Sequence, residues 1–171
     1  MAKPLSFTTL LQVLRTNYPD IDFVSGKAFC WSPATRQIVY RDQQKHNDTA
    51  ASYSLLHELG HAQLAHQRYQ LDFELLQLEV AAWEQARLLA LDHDIVIDED
   101  HIQNCLDTYR DWLYRRSICP TCTTKALQQD NARFYRCFNC HATWKVAPSR
   151  FCRPYRQTKG QPATPVFADQ F

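Results

Sequence analysis

Apolar residues return at helical spacing in four stretches of the chain, and most of these stretches carry a start or stop signal. After Ser6, a residue suited to cap a helix, Phe7, Leu10, Leu11 and Leu14 fall on one face and predict a short amphipathic helix ending near Pro19. Residues 22–42 change rhythm: two runs rich in β-branched and aromatic residues, around 27–31 and 36–41, flank Ser32-Pro33-Ala34-Thr35 and predict a β-hairpin. Helical periodicity then resumes from about Thr49 to Gln67, behind Asn47-Asp48 as caps, and from about Asp72 to Leu91. A last helix follows Asp98-Glu99-Asp100, with Ile102, Cys105, Leu106, Tyr109 and Leu113 on one face and Arg115-Arg116 at its C-terminal end. From Cys119 to about Val146 only short strand-like runs remain, and residues 147–171 are proline-containing and aperiodic. The pattern predicts an α+β chain: a small domain of helices and a hairpin, then a ribbon, then a tail.

Length and composition narrow the options. At 171 residues the chain suits one domain and a small appendage. Its three glycines, Gly26, Gly60 and Gly160, are too far apart for a phosphate-cradling loop, which excludes the Gly-rich nucleotide folds and predicts no nucleotide cofactor. No run approaches the roughly 18 apolar residues of a membrane span, and the Met1-Ala-Lys-Pro-Leu-Ser start lacks the apolar core of a secretory leader. A cytoplasmic protein is the expectation. The seven cysteines fit a reducing compartment, because four of them form two Cys-x-x-Cys pairs and thereby point to metal before disulfides.

Two candidate metal centres follow. His57-Glu58-Leu59-Gly60-His61 sets two imidazoles one turn apart on a helix, a pair able to chelate a zinc ion, with Glu58 beside them to take a proton from a zinc-bound water. The third ligand is not the histidine of the longer metzincin pattern. Position 67 is Gln67, and His66 is one residue short, rotated by about 100° on a helix. Among the glutamates of the next helix, Glu79 has Leu75, Leu76, Ala82 and Trp83 as its three- and four-residue neighbours, so its carboxylate needs a cation or a strong hydrogen-bond partner. Glu84 lies on a more polar side with Gln85 and Arg87 and is the alternative. His66, His93 and Tyr53 are candidates to stabilise an oxyanion.

His57-Glu-Leu-Gly-His61 followed by Glu79-Val-Ala-Ala-Trp-Glu-Gln-Ala86, behind a short helix and a hairpin, resembles the ImmA/IrrE-type zinc metallopeptidases over about residues 5–92. The resemblance implies a zincin-like fold, a catalytic zinc on His57, His61 and Glu79, Glu58 as the catalytic carboxylate, and a protein substrate such as a DNA-binding regulator. Trp83 stands where that family commonly has Asn.

The second centre is Cys119-Pro-Thr-Cys122 and Cys137-Phe-Asn-Cys140, two knuckles separated by 14 residues. Four thiolates close a tetrahedral site, so this zinc is structural and supplies folding free energy to a segment with few aliphatic residues. Two zinc ions per chain are expected. Cys105 reads as core.

The formal charge of +1 hides a division: residues 1–114 hold nine basic and sixteen acidic residues, and residues 115–171 hold ten and two. Arg133, Arg136, Lys145, Arg150, Arg153 and Arg156, interleaved with aromatic residues such as Phe134, Tyr135, Phe138 and Trp144, are candidate contacts for nucleic acid or an acidic protein partner. The organisation read from the sequence is a metallopeptidase-like domain over 1–116, a zinc ribbon over 117–147 and a basic tail over 148–171. The expected function is a gluzincin-like zinc metalloendopeptidase, and the competing one is a non-catalytic regulator that binds its partner through the ribbon.

Overall fold

The computed structural model describes residues 5–41, 48–129, 134–146, 155–158 and 164–165; of Asp48 and of the last two segments only the backbone is described. The architecture is mixed α+β, with helices α1 (Phe7–Asn17), α2 (Asp48–Gln63), α3 (Asp72–Leu91) and α4 (Glu99–Ser117). Strands are β1 (Asp22–Gly26), β2 (Cys30–Ser32), β3 (Gln37–Arg41), β4 (Leu127–Gln128), β5 (Phe134–Arg136), β6 (Thr143–Lys145), β7 (Tyr155–Thr158) and β8 (Thr164–Pro165). Contacts divide the chain into two compact units, Met1–Arg68 with Gln77–Leu106, and Tyr69–Leu76 with Asp107–Phe171. None of the described helices is long and apolar enough to cross a membrane.

In the first unit α1 forms where its apolar spacing predicts. Ser6 caps it by accepting the Thr9 N–H at 3.2 Å, and Phe7, Leu10, Leu11 and Leu14 are buried. The expected hairpin is β2 and β3, antiparallel with Trp31 opposite Ile38. A third strand joins it: β1 runs parallel to β3, giving the order β1-β3-β2 and leaving β2 at an edge. That pairing has little signature in the sequence, because Phe23 is the one fully buried residue of β1. α2 packs against α1, β2 and β3. It ends at Gln63, earlier than the periodicity suggests, because Ala65 turns left-handed at φ 52° and the His66 N–H returns to the His61 carbonyl at 3.0 Å. The buried side of α3 includes Ala82, Ala86 and Ala90, small residues four apart that let another helix approach closely.

In the second unit the strands order as β4-β5-β6-β7-β8. Alternation along β5 and β6 turns Tyr135 and Trp144 inward, where they stack with centroids 5.6 Å apart at 16°. Their polar ends reach helix ends of the same unit. The Tyr135 hydroxyl donates to Asp72 Oδ2 at 2.7 Å, and the Trp144 indole N–H donates to the Arg116 carbonyl at 3.0 Å. Arg116, only 1% exposed, lies over the Trp112 ring and donates twice to Asp72, from Nε at 2.6 Å and Nη2 at 3.3 Å. Burial, and then the Asp72 carboxylate, push the Tyr135 phenol far above its usual range, so it stays a donor. The tail beyond residue 146 lies outside the described residues except for the backbone of β7 and β8.

Candidate metal centres

The first centre lies where α2 meets α3, and Gly60 makes the meeting close. A Cβ at position 60 would lie 2.5 Å from the Ala82 carbonyl oxygen, a backbone atom with little freedom to move. A glycine in mid-helix is intrinsically unfavourable by roughly 1 kcal/mol. Here it permits the approach that sets Glu79 of α3 against the two histidines of α2.

His57 Nε2 lies 3.1 Å from Glu79 Oε2 and 3.1 Å from His61 Nε2, and His61 Nε2 lies 3.6 Å from Glu79 Oε1. Ligands of a tetrahedral zinc at about 2.05 Å sit about 3.3 Å from one another, so these separations fit the ion. The chemistry of the set fits too. Two imidazole nitrogens facing at 3.1 Å repel unless a cation or proton lies between them, and a buried carboxylate needs positive charge nearby. Burial would by itself raise the Glu79 pKa. Hydrogen bonds from His57 and then His61 outweigh it and hold the carboxyl well below the ordinary range.

Glu58, the residue after His57, accepts the Trp31 backbone N–H of β2 on Oε2 at 2.7 Å. Its pKa is raised, chiefly by burial, against the opposing pull of His57 and His61. A carboxylate of raised basicity beside a candidate metal-bound water is suited to take and return a proton.

The other sequence candidates fall elsewhere. Glu84 is largely exposed and pairs with Arg87 at 3.7 Å. Tyr53 donates its hydroxyl to the Val96 carbonyl at 2.9 Å, which commits it to holding the segment after α3. His93 follows α3, its N–H bonded to the Ala90 carbonyl. His66 Nδ1 lies 2.8 Å from His61 Nδ1, behind the ligand ring rather than in front of it. Sequence reasoning missed Trp31, because a main-chain donor leaves no signal in residue type. It also gave Trp83 no contact with a ligand histidine, whereas the ring lies along His57 with centroids 4.2 Å apart.

In the second centre Cys119, Cys122, Cys137 and Cys140 converge, with Cys119 to Cys140 and Cys122 to Cys137 sulfur separations of 3.5 Å. Sulfurs around zinc at about 2.3 Å lie about 3.8 Å apart, close to this arrangement. The two knuckles repeat one backbone device. Cys119 and Cys137 each donate their N–H to the carbonyl five residues on, Thr124 and Ala142, and Thr123 and His141 each take φ 61° just after the second cysteine. Hydrogen bonding with the Thr124 hydroxyl and then its backbone, and the bond that Asn139 Nδ2 donates at 3.5 Å, pull the Cys122 thiol down to about 5.

Of the basic candidates, Arg136 and Lys145 are exposed, while Arg133, Arg150, Arg153 and the side chain of Arg156 lie outside the described residues. Tyr135 and Trp144 are interior and unable to stack on bases, whereas Phe138 is 69% exposed. Cys30 is exposed, and Cys105 is half-buried near His101. Compared with known families, curated proteins and solved structures, the chain finds no match.

Proposed function

We propose that this chain is a zinc-dependent metallopeptidase with His57, His61 and Glu79 as ligands and Glu58 as general base and acid, acting on a protein substrate in the cytoplasm. One observation carries the reading: three buried or half-buried donor atoms at zinc-compatible spacing, with a second carboxylate of raised pKa beside them. Bound zinc would supply a Lewis acid and a water whose pKa falls toward 7. Glu58 does the proton work. Its Oε2 is held by the Trp31 N–H, leaving Oε1 to take the proton of the attacking water and pass it to the departing amine. The carbonyl carbon gains the hydroxyl and the C–N bond breaks. None of the six described cysteines is joined in a disulfide, which suits a reducing compartment. The ribbon would hold a structural zinc and present Arg136 and Lys145 to a partner, protein or nucleic acid. The resemblance adds a DNA-binding regulator as the substrate class.

Glu58→Gln is the test. It should keep two zinc ions per chain and lose about 10²- to 10⁴-fold in hydrolysis of a sensitive protein substrate, found as the protein that disappears when the wild type but not the variant is expressed. Unchanged turnover would remove Glu58 from the mechanism. A single zinc, lost only in Cys119→Ser, would favour the non-catalytic regulator.

A further inference from the structure

The two histidine ligands of the first centre are held in different ways. His57 has the Trp83 ring alongside and no hydrogen-bond partner for Nδ1 among the described residues. His61 has a partner, because its Nδ1 and the Nδ1 of His66 lie 2.8 Å apart and must share a proton. For His61 to present the Nε2 lone pair to a metal, that proton belongs to its own Nδ1, and His66 accepts it as the neutral ring protonated at Nε2.

His66 is itself held. The left-handed Ala65 and the bond from the His66 N–H to the His61 carbonyl fold it back over the end of α2. The His66 carbonyl then accepts the Trp31 indole N–H at 3.2 Å. The backbone N–H of the same Trp31 holds Glu58 Oε2. One residue of β2 therefore steadies both the segment that orients a ligand and the carboxylate that moves the proton.

We propose that Trp31 and His66 form a positioning clamp that sets the tautomer and ring orientation of His61. The inference rests on the zinc reading above and adds to it a regulation of metal affinity by residues outside the ligand set. Outer hydrogen bonds of this kind typically contribute 10- to 100-fold in metal affinity. Because His57 Nδ1 has no such partner among the described residues, the His66 contact is the one that serves the pair there.

The experiment uses the full chain loaded with Zn²⁺ and titrated with a competing chelator, while the unreactivity of the ribbon thiols reports that the second zinc stays bound. His66→Leu should weaken the first site about 10- to 100-fold. His66→Asn, whose Oδ1 can accept in place of Nδ1, should restore most of that loss. Trp31→Phe keeps the backbone N–H on Glu58 and removes the indole donor, and should give a smaller loss than His66→Leu. The His61 Nδ1–H resonance of the zinc form should persist in His66→Asn and vanish in His66→Leu, a readout that a merely structural role would not move. Equal affinity in wild type and His66→Leu overturns the clamp and leaves the zinc site standing. A wild type that binds only the ribbon zinc overturns both. Should His66→Leu fail to fold, unchanged affinity and an unchanged His61 proton signal in Trp31→Phe overturn the clamp.

Discussion

The two donor clusters of this chain are assembled by different physics. The four cysteines converge because two short loops repeat one local backbone device, with paired N–H bonds and a left-handed residue after each Cys-x-x-Cys. His57, His61 and Glu79 converge because two helices touch at Gly60 and Ala82. A local device is robust to changes elsewhere in its unit, whereas a packing device is only as good as its closest contact. The contrast also explains the surroundings. The histidine centre is steadied by neighbouring side chains such as His66, and the cysteine centre mainly by its own loops.

The largest expected effect tests whether the second unit is held by metal alone. Asp72 faces Arg116 and Tyr135 in a buried network, so Asp72→Ala leaves a guanidinium without its counter-charge and a phenol without its acceptor. Breaking one side of a buried pair costs about 3–5 kcal/mol. Zinc-loaded Asp72→Ala should lose that much in denaturant unfolding followed by tryptophan emission, to which Trp112 and Trp144 of this unit contribute. Replacing Asp72 and Arg116 together by apolar residues of similar volume should recover much of it. A negligible loss in the single variant would mean that the thiolates alone hold the unit.

Next comes the contact that closes the histidine centre. Gly60→Ala places a methyl group against the Ala82 carbonyl, and either α2 or α3 must move by a fraction of an ångström. Overpacking of this kind costs about 1–3 kcal/mol. The stability loss matters less than its companion: Glu79 should no longer span both Nε2 atoms, so zinc at the first site should be lost while the ribbon keeps its own. Metal counts on the purified variant decide it. Two zinc ions bound with wild-type affinity would show that Gly60 serves helix packing without governing the site.

How legible each centre was follows from the same distinction. The Cys-x-x-Cys knuckles and the His-Glu-x-x-His pair are local spacings, and the donors converge as the spacings require. Glu79 could be weighed against Glu84 because a carboxylate among leucines, alanine and tryptophan needs a cation or a strong hydrogen-bond partner; the structure brings Glu79 to both histidines and leaves Glu84 exposed. The parallel pairing of β1 with β3 was not legible, since it depends on a crossover and β1 buries a single residue fully. Nor was the early end of α2, because neither a glycine nor a proline marks Ala65, the residue that takes the left-handed turn. That missed turn carries a consequence, for it brings His66 back to His61. Asp72, Arg116 and Tyr135 are separated by 44 and 63 residues along the chain, and no spacing rule reaches that far.

The smallest expected effect probes how alike the two knuckles are. Thr123 and His141 both sit at φ 61°, where an L-residue is strained by roughly 1–2 kcal/mol and a β-branched one suffers most. Glycine removes the strain but also frees the unfolded chain, which returns about 0.4–1 kcal/mol. On strain alone, each substitution should therefore stabilise the zinc-loaded protein by less than about 1 kcal/mol, with Thr123→Gly gaining more than His141→Gly. One contact opposes this order: the Thr123 hydroxyl donates to the Cys122 carbonyl at 2.7 Å, and glycine forfeits that bond. A typical intramolecular hydrogen bond contributes about 0.5–1.5 kcal/mol net and an exposed one lies at the low end, so the two variants should gain nearly the same amount. Equal melting shifts in the two variants would mean that the bond cancels the extra strain of a branched side chain. A loss confined to Thr123→Gly would make the first knuckle depend on its side chain and the second on its backbone, ending their equivalence.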